Sequence, residues 1–187
     1  MNNKFADNPF YVQYEALLEE LHRLIAAGKG NEDEADAVRD EMDGPEQKLT
    51  QKEIMRLNGL SADLHMLQDD EIYEPYDGTQ DELRVALSEA LGSNDYETIL
   101  RLLRKGTPFL KPAQVAALRG RSYAMLGHLE TGLLFMRYAA EKEPGQGAHR
   151  LYILGLLIQL NRTQEALAEV ESHARRIAEP LLLVAQL

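Results

Sequence analysis

Cysteine is absent from this sequence, and so is tryptophan. Without cysteine there can be no disulfide, no thiolate metal site and no thiol nucleophile, which fits a reducing compartment. Long hydrophobic runs are missing too. The most apolar stretch, Leu151–Leu160, is about half the length that a membrane span requires. Met1–Asp7 has no basic stretch followed by an apolar one, so no secretory leader is read there. A soluble, cytoplasmic protein without a membrane partner is the expectation. Basic residues are scarce in the first part of the chain: residues 1–78 hold 19 Asp and Glu against 7 Lys and Arg, a net charge of −12. Affinity for phosphate backbones comes from Lys and Arg, so that half is a poor nucleic-acid surface.

The chain nevertheless has enough material for a core. Its 187 residues are 44% hydrophobic, and residues 79–187 carry 12 acids against 13 bases, a net +1. The charge change near Gly78 divides the sequence into an acidic domain, 1–78, and a second domain, 79–187. The bland reading of the acidity is a dispersing surface. The alternative is a face that meets a basic partner.

The acidic domain reads as helices. Asp7 or Asn8 caps a helix to about Ala27, with Pro9 in its first turn and Gly28 as its stop; Phe10, Tyr14, Leu17, Leu21 and Leu24 share one face. A short acidic helix, Glu32 to Met42, turns Ala35, Val38 and Met42 inward and ends at Gly44-Pro45. Thr50 and Glu53 form a capping box, opening a helix whose inward residues are Ile54, Leu57, Leu60, Leu64 and Leu67. Asp69–Gly78 is the expected hinge. The phrases Leu21–Gly28, Glu34–Ala37 and Gly59–Leu64 resemble a helical segment found ahead of repeats in uncharacterised bacterial proteins, which brings no assigned activity.

The second domain repeats itself. Gly120, Tyr123, Gly127, Leu129, Gly132, Met136, Ala139 and Pro144 follow in order, and Asn161, Thr163 and Ala166 return about 34 residues after the middle of that series. A fixed period of this length marks stacked helical hairpins. A second capping box, Thr79 and Glu82, opens the first hairpin, in which Leu83, Ala86, Leu87, Ala90, Ile99 and Leu103 point inward. Gly106 and Thr107–Pro112 break its pattern. Hairpins follow over about 113–144, and over 148–160 with 163–178. Pro180 and the apolar Leu181–Leu187 follow, a tail that either folds back as a capping helix or is covered by a second copy of the chain.

These residues resemble the tetratricopeptide (TPR) repeat over about 79–178, and the reading is therefore all-α: an acidic helical segment, then a short TPR-like array with a C-terminal cap. The resemblance implies a concave groove lined by the first helix of each hairpin. It places Asp81, Arg84, Val85, Ser88 and Leu91 there from the first hairpin, and Gln114, Ala117, Leu118, Arg121, Ala124 and Met125 from the second. Leu151, Tyr152, Gly155 and Ile158 come from the third. A family subset clamps C-terminal carboxylates with Lys and Asn, but Ala117, Leu151 and Gly155 stand at those positions. A mostly apolar peptide or helix, with an acid for Arg84 or Arg121, fits better. Equally open is that Leu151, Tyr152 and Ile158 are covered by the C-terminal helix or by the acidic domain.

Catalytic patterns are thin. Glu19 and His22 share a helix face at the spacing of di-iron bundles, yet the nearest second pair, Asp63 and His65, points two ways. Asn31-x-Asp33 and Asp69-Asp70-Glu71 lack the glycine and glutamate of a calcium loop, Gly28-Lys29-Gly30 lacks the rest of a phosphate loop, and there is no Gly-x-Ser-x-Gly elbow. Arg101, Arg104 and Lys105 read as a solvated face. The expectation is a non-enzymatic protein-interaction module without cofactor, an adaptor or a subunit of a larger bacterial assembly. The alternatives are a secretion-type chaperone, an acidic inhibitor or immunity protein and, more poorly, a metal-dependent enzyme using Glu19 and His22.

Overall fold

The computed structural model describes residues 7–68 and 73–172. Among them every regular element is a helix: α1 (Pro9–Ala26), α2 (Asp33–Glu46), α3 (Gln51–Leu64) followed by a 3-10 turn (His65–Gln68), α4 (Gln80–Ser93), α5 (Tyr96–Leu103), α6 (Pro112–Met125), α7 (Leu129–Lys142) and α8 (Gly147–Gln159). A further helical stretch, α9, occupies 163–172. No helix of the described residues is long and apolar enough to cross a membrane. His173, Pro180 and the apolar tail Leu181–Leu187, and with them the expectation of a cap or of cover by a second copy, lie outside the described residues. The chain forms two compact units, residues 1–111 with 125–127 and residues 112–124 with 128–187. Packing thus groups the chain differently from charge, because α4 and α5 join the acidic helices.

In the first unit the helix starts follow from local chemistry. Asn8 caps α1 by accepting from Phe10 N–H, and Pro9 occupies a position where an amide would have no partner. Thr50 and Glu53 make the capping box of α3, and Thr79 and Glu82 that of α4. Glu53 does more: its Oε1 accepts from Asn8 Nδ2 at 2.8 Å, while its Oε2 serves Thr50. One buried carboxylate thus joins two helix N-termini. Burial alone would raise the Glu53 pKa, but the hydrogen bonds from Thr50 and Asn8 outweigh it and hold the group below the usual carboxylate value.

Two expectations are corrected here. The most buried face of α1 carries Tyr11, Leu18 and His22; Phe10 is exposed, and Tyr14, Leu17, Leu21 and Leu24 are half-buried. α1 packs against both α2 and α3, so the residues between its two contacts are covered on both sides. α2 also runs past Gly44-Pro45 to Glu46, with Pro45 buried in its last turn.

α3 rests on α5 through charge. Asp63, with no exposed surface, takes Arg104 in a two-pronged pair, Nε to Oδ1 at 3.0 Å and Nη2 to Oδ2 at 2.9 Å. Gly59 makes room for it: a Cβ there would sit 2.7 Å from the guanidinium. Arg56 also reaches Glu97 at 2.7 Å. The solvated reading therefore holds for exposed Arg101 but not for Arg104, nor for Lys105, which pairs with Glu74 at 2.7 Å. Glu74 N–H also bonds Arg104 C=O at 2.8 Å, tying a residue of the expected hinge to the end of α5.

Across the second half one turn recurs. Asn94, Gly127 and Asn161 adopt positive φ of 55°, 96° and 58°. After each, an N–H reaches back five residues: Asp95 to Ala90, His128 to Tyr123 and Arg162 to Leu157, at 2.8 to 2.9 Å. That left-handed residue and back-bond terminate a helix and release the chain into its antiparallel partner. Three helix pairs, α4–α5, α6–α7 and α8–α9, thus share a turn at spacings of 33 and 34 residues.

In the second unit the two helices α6 and α7 approach closely. Gly120 on α6 faces Gly132 on α7, and a Cβ on Gly132 would lie 2.9 Å from Gly120 O. Beside that crossing the Tyr123 and Phe135 rings stack at 5.7 Å. Leu133, Met136, Ile153, Leu156, Leu157 and Ala166 complete the core.

Candidate functional site

Each element that the repeat reading assigns to a groove carries a stripe at helical spacing. On α4, Arg84, Ser88 and Leu91 follow at i, i+4 and i+7, and all are exposed, as are Asp81 and Val85. Arg84 lies 3.8 Å from Asp81, with its guanidinium over the Phe109 ring at 4.8 Å. On α6, Gln114 and Arg121 are exposed, with Ala117, Leu118, Ala124 and Met125 half-buried. Arg121 forms no ion pair among the described residues.

α8 has the most apolar of these faces. Leu151 is 72% exposed and Ile158 65%, seven residues apart on one side of the helix. Gly155 stands between them, and a Cβ placed there would touch nothing within 4 Å. The result is two large apolar side chains flanking a notch, with Tyr152 half-buried alongside. The opposite side of α8 supplies Ile153, Leu156 and Leu157 to the core. This explains why the run reads as apolar on nearly every side. The alternative in which the C-terminal tail covers Leu151, Tyr152 and Ile158 falls outside the described residues; within them Leu151 and Ile158 are exposed and Tyr152 is half-buried.

The helix pair Glu19 and His22 has another use for its imidazole. His22 is buried between α1 and the end of α3; its Nδ1 accepts from Gln68 Nε2 at 2.9 Å, which leaves Nε2 protonated and 3.3 Å from Ser61 Oγ. In that tautomer the ring donates toward Ser61 and cannot take its proton, and neither nitrogen is left for a metal. His65 meets it edge-on at 5.1 Å. Burial, and secondarily the neighbouring His65, push the His22 pKa down to about 4. Among the described residues no group of three or more His, Asp or Glu side chains is arranged to hold a metal ion.

Sequence reading missed a cleft of about 300 Å³ bounded by α7, the α7–α8 turn, α8 and α9. Arg137 and Glu141 line it from α7, Arg150 and Ile153 from α8, and Glu169 from α9. Arg150 is buried, only 6% exposed. Its one signal in the sequence is a basic residue in an otherwise apolar helix, and nothing there reveals that three elements converge on it.

Arg137 also belongs to an ion-pair chain that links α7 to α9. Glu165 accepts from Arg162 and from Arg137, and Arg162 also reaches Glu130 at 2.6 Å. The hydrogen bonds from Arg162 and then Arg137 hold the Glu165 carboxyl down at about 2. Comparison with protein-family models, curated proteins and solved structures finds no match for the chain.

Proposed function

We propose that this protein is a non-enzymatic interaction module that holds a segment of another protein on the exposed faces of its second unit, those of α6 and α8. The observation that carries the proposal is the Leu151–Gly155–Ile158 stripe. A helix that buries one apolar face and offers a second to solvent has more apolar surface than its own fold uses. The recurrent turn at Asn94, Gly127 and Asn161 supports the TPR-like reading, since short hairpin arrays are scaffolds for such faces. The fitting ligand is an amphipathic helix or extended peptide, its apolar residues on α8 and an acidic residue available to Arg121.

A second reading rests on α2, which exposes Asp40, Glu41 and Asp43 and has no basic residue in its last turn. Such a face favours an acidic inhibitor that steers onto a basic partner. Gentle purification of the tagged protein from its native cells, with mass spectrometry of what accompanies it, tests the main proposal. One stoichiometric partner, lost when Leu151 and Ile158 are both changed to Asp, supports it. A partner retained by that variant but lost on Asp40→Lys with Glu41→Lys supports the second reading, and protein that comes out alone contradicts both.

A further inference from the structure

The turns at Gly127 and Asn161 stand 34 residues apart, so each position on α9 has a counterpart on α7. Leu167 follows Leu133 at that spacing, and Val170 follows Met136. The counterparts differ in exposure. Leu133 and Met136 are 1% and 3% exposed, because α8 packs against α7 and brings Ile153, Leu156 and Leu157 into one core with them. Leu167 and Val170 are 54% and 50% exposed. Three residues apart, they share one side of α9. That helix therefore presents to solvent the apolar pair that its predecessor buries. Among the described residues no helix follows α9 to do for it what α8 does for α7.

We infer that the chain's own segment Leu181–Leu187 docks on Leu167 and Val170, closing the last hairpin as α8 closes the one before it. Its chemistry fits: Leu181, Leu182, Leu183 and Val184 are consecutive large apolar residues, and no charge occurs in 181–187. Its place in the period fits as well, since α8 begins at Gly147 and Leu181 stands 34 residues on. The segment is also within reach. Glu169 pairs with Arg150, and Ser172 lines the cleft with Arg150 and Ile153, so the described chain leaves α9 beside the start of α8. Residues 173–180 span about 28 Å at full extension, whereas Leu167 lies about 8 Å back along α9 from Ser172. A tethered segment meets this face at an effective concentration on the order of millimolar, which favours it over a second copy of the chain. Docking there leaves the Leu151–Ile158 stripe of α8 open.

Because the chain lacks cysteine, disulfide cross-linking of the full-length protein tests this directly. Leu167→Cys is combined in turn with Leu182→Cys, Leu183→Cys and Val184→Cys, and each double variant is oxidised at micromolar concentration and run on a non-reducing gel. Leu151→Cys, on α8 beside the point where the chain leaves α9, replaces Leu167→Cys as the control for random collision. The expected result is a cross-link within one chain from position 167 to at least one tail position, formed at least tenfold faster than any from position 151. Hydrogen exchange of the amides of 182–187 should be at least tenfold slower in wild type than in the Leu167→Asp, Val170→Asp double variant. If that variant does not fold, cross-linking alone decides. Cross-links that join two chains assign the pair to a second copy and overturn the inference. Equal rates from positions 151 and 167, or tail amides that exchange alike in wild type and the folded double variant, overturn it too.

Discussion

Asp63 and Arg104 form a two-pronged ion pair inside the first unit, 41 residues apart in sequence, with Asp63 wholly buried. Replacing Asp63 withdraws a buried charge from a half-buried guanidinium, a loss that reaches about 3–5 kcal/mol in fully buried pairs. Asp63→Asn should therefore lower the stability of this unit by up to that amount in urea unfolding. Gly59→Ala should also lower it, since its methyl would press on the guanidinium. An unchanged midpoint in both variants would show that the pair contributes little.

His22 makes stability depend on pH. Its folded pKa is about 4 against 6.5 for an ordinary imidazole. Between those values the unfolded chain binds a proton that the folded one refuses, so stability falls as pH drops from about 6.5 to 4. At 1.36 kcal/mol per pKa unit the loss is on the order of 2–3 kcal/mol. Thermal melts of wild type should show this slope, and His22→Gln should flatten it. A slope that survives the substitution would assign the effect to other groups.

Glycines of the second unit should respond in opposite directions. Gly155→Ala meets open space within a helix, and should raise stability by about 0.5–1 kcal/mol. Gly132→Ala drives a methyl against Gly120 O and Ala124, which overpacks the crossing of α6 and α7 and should cost about 1–3 kcal/mol. Denaturation midpoints moving the same way would contradict this packing.

Glu53 joins the starts of α1 and α3 by accepting from both Asn8 and Thr50. Glu53→Ala should cost about 1–3 kcal/mol, because one change orphans polar groups at two helix ends. Loss of amide-exchange protection in the first turns of both helices would confirm the shared cap. Loss confined to α3 would show that Asn8 holds α1 without it.

Local signals were legible in the sequence. The two capping boxes, the Asn8 cap and Pro9 are each decided within a few residues, where side-chain and backbone chemistry dominates. The face of α1 was misplaced because it depends on two neighbours at once, and apolar spacing alone cannot show that Phe10 falls outside them. Arg104 read as a surface cation, since its partner Asp63 lies on another helix and the glycine that admits it looks like any other. Of the residues assigned to a groove, Arg84, Ser88, Leu91, Gln114, Arg121, Leu151 and Ile158 are exposed, while Leu118, Met125 and Tyr152 are half-buried. The Arg150 cleft was not legible, because it exists only where α7, α8 and α9 meet.

The central claim is that α8 offers a second apolar face to another protein. Its most direct test is the affinity of the co-purified partner for wild type and for the Leu151→Asp, Ile158→Asp double variant, with melting temperatures taken in parallel. The account predicts at least a tenfold loss of affinity with the melting temperature held, because both side chains face solvent, and a smaller loss for Arg121→Glu. Undiminished affinity in the double variant, at the same melting temperature, would contradict it.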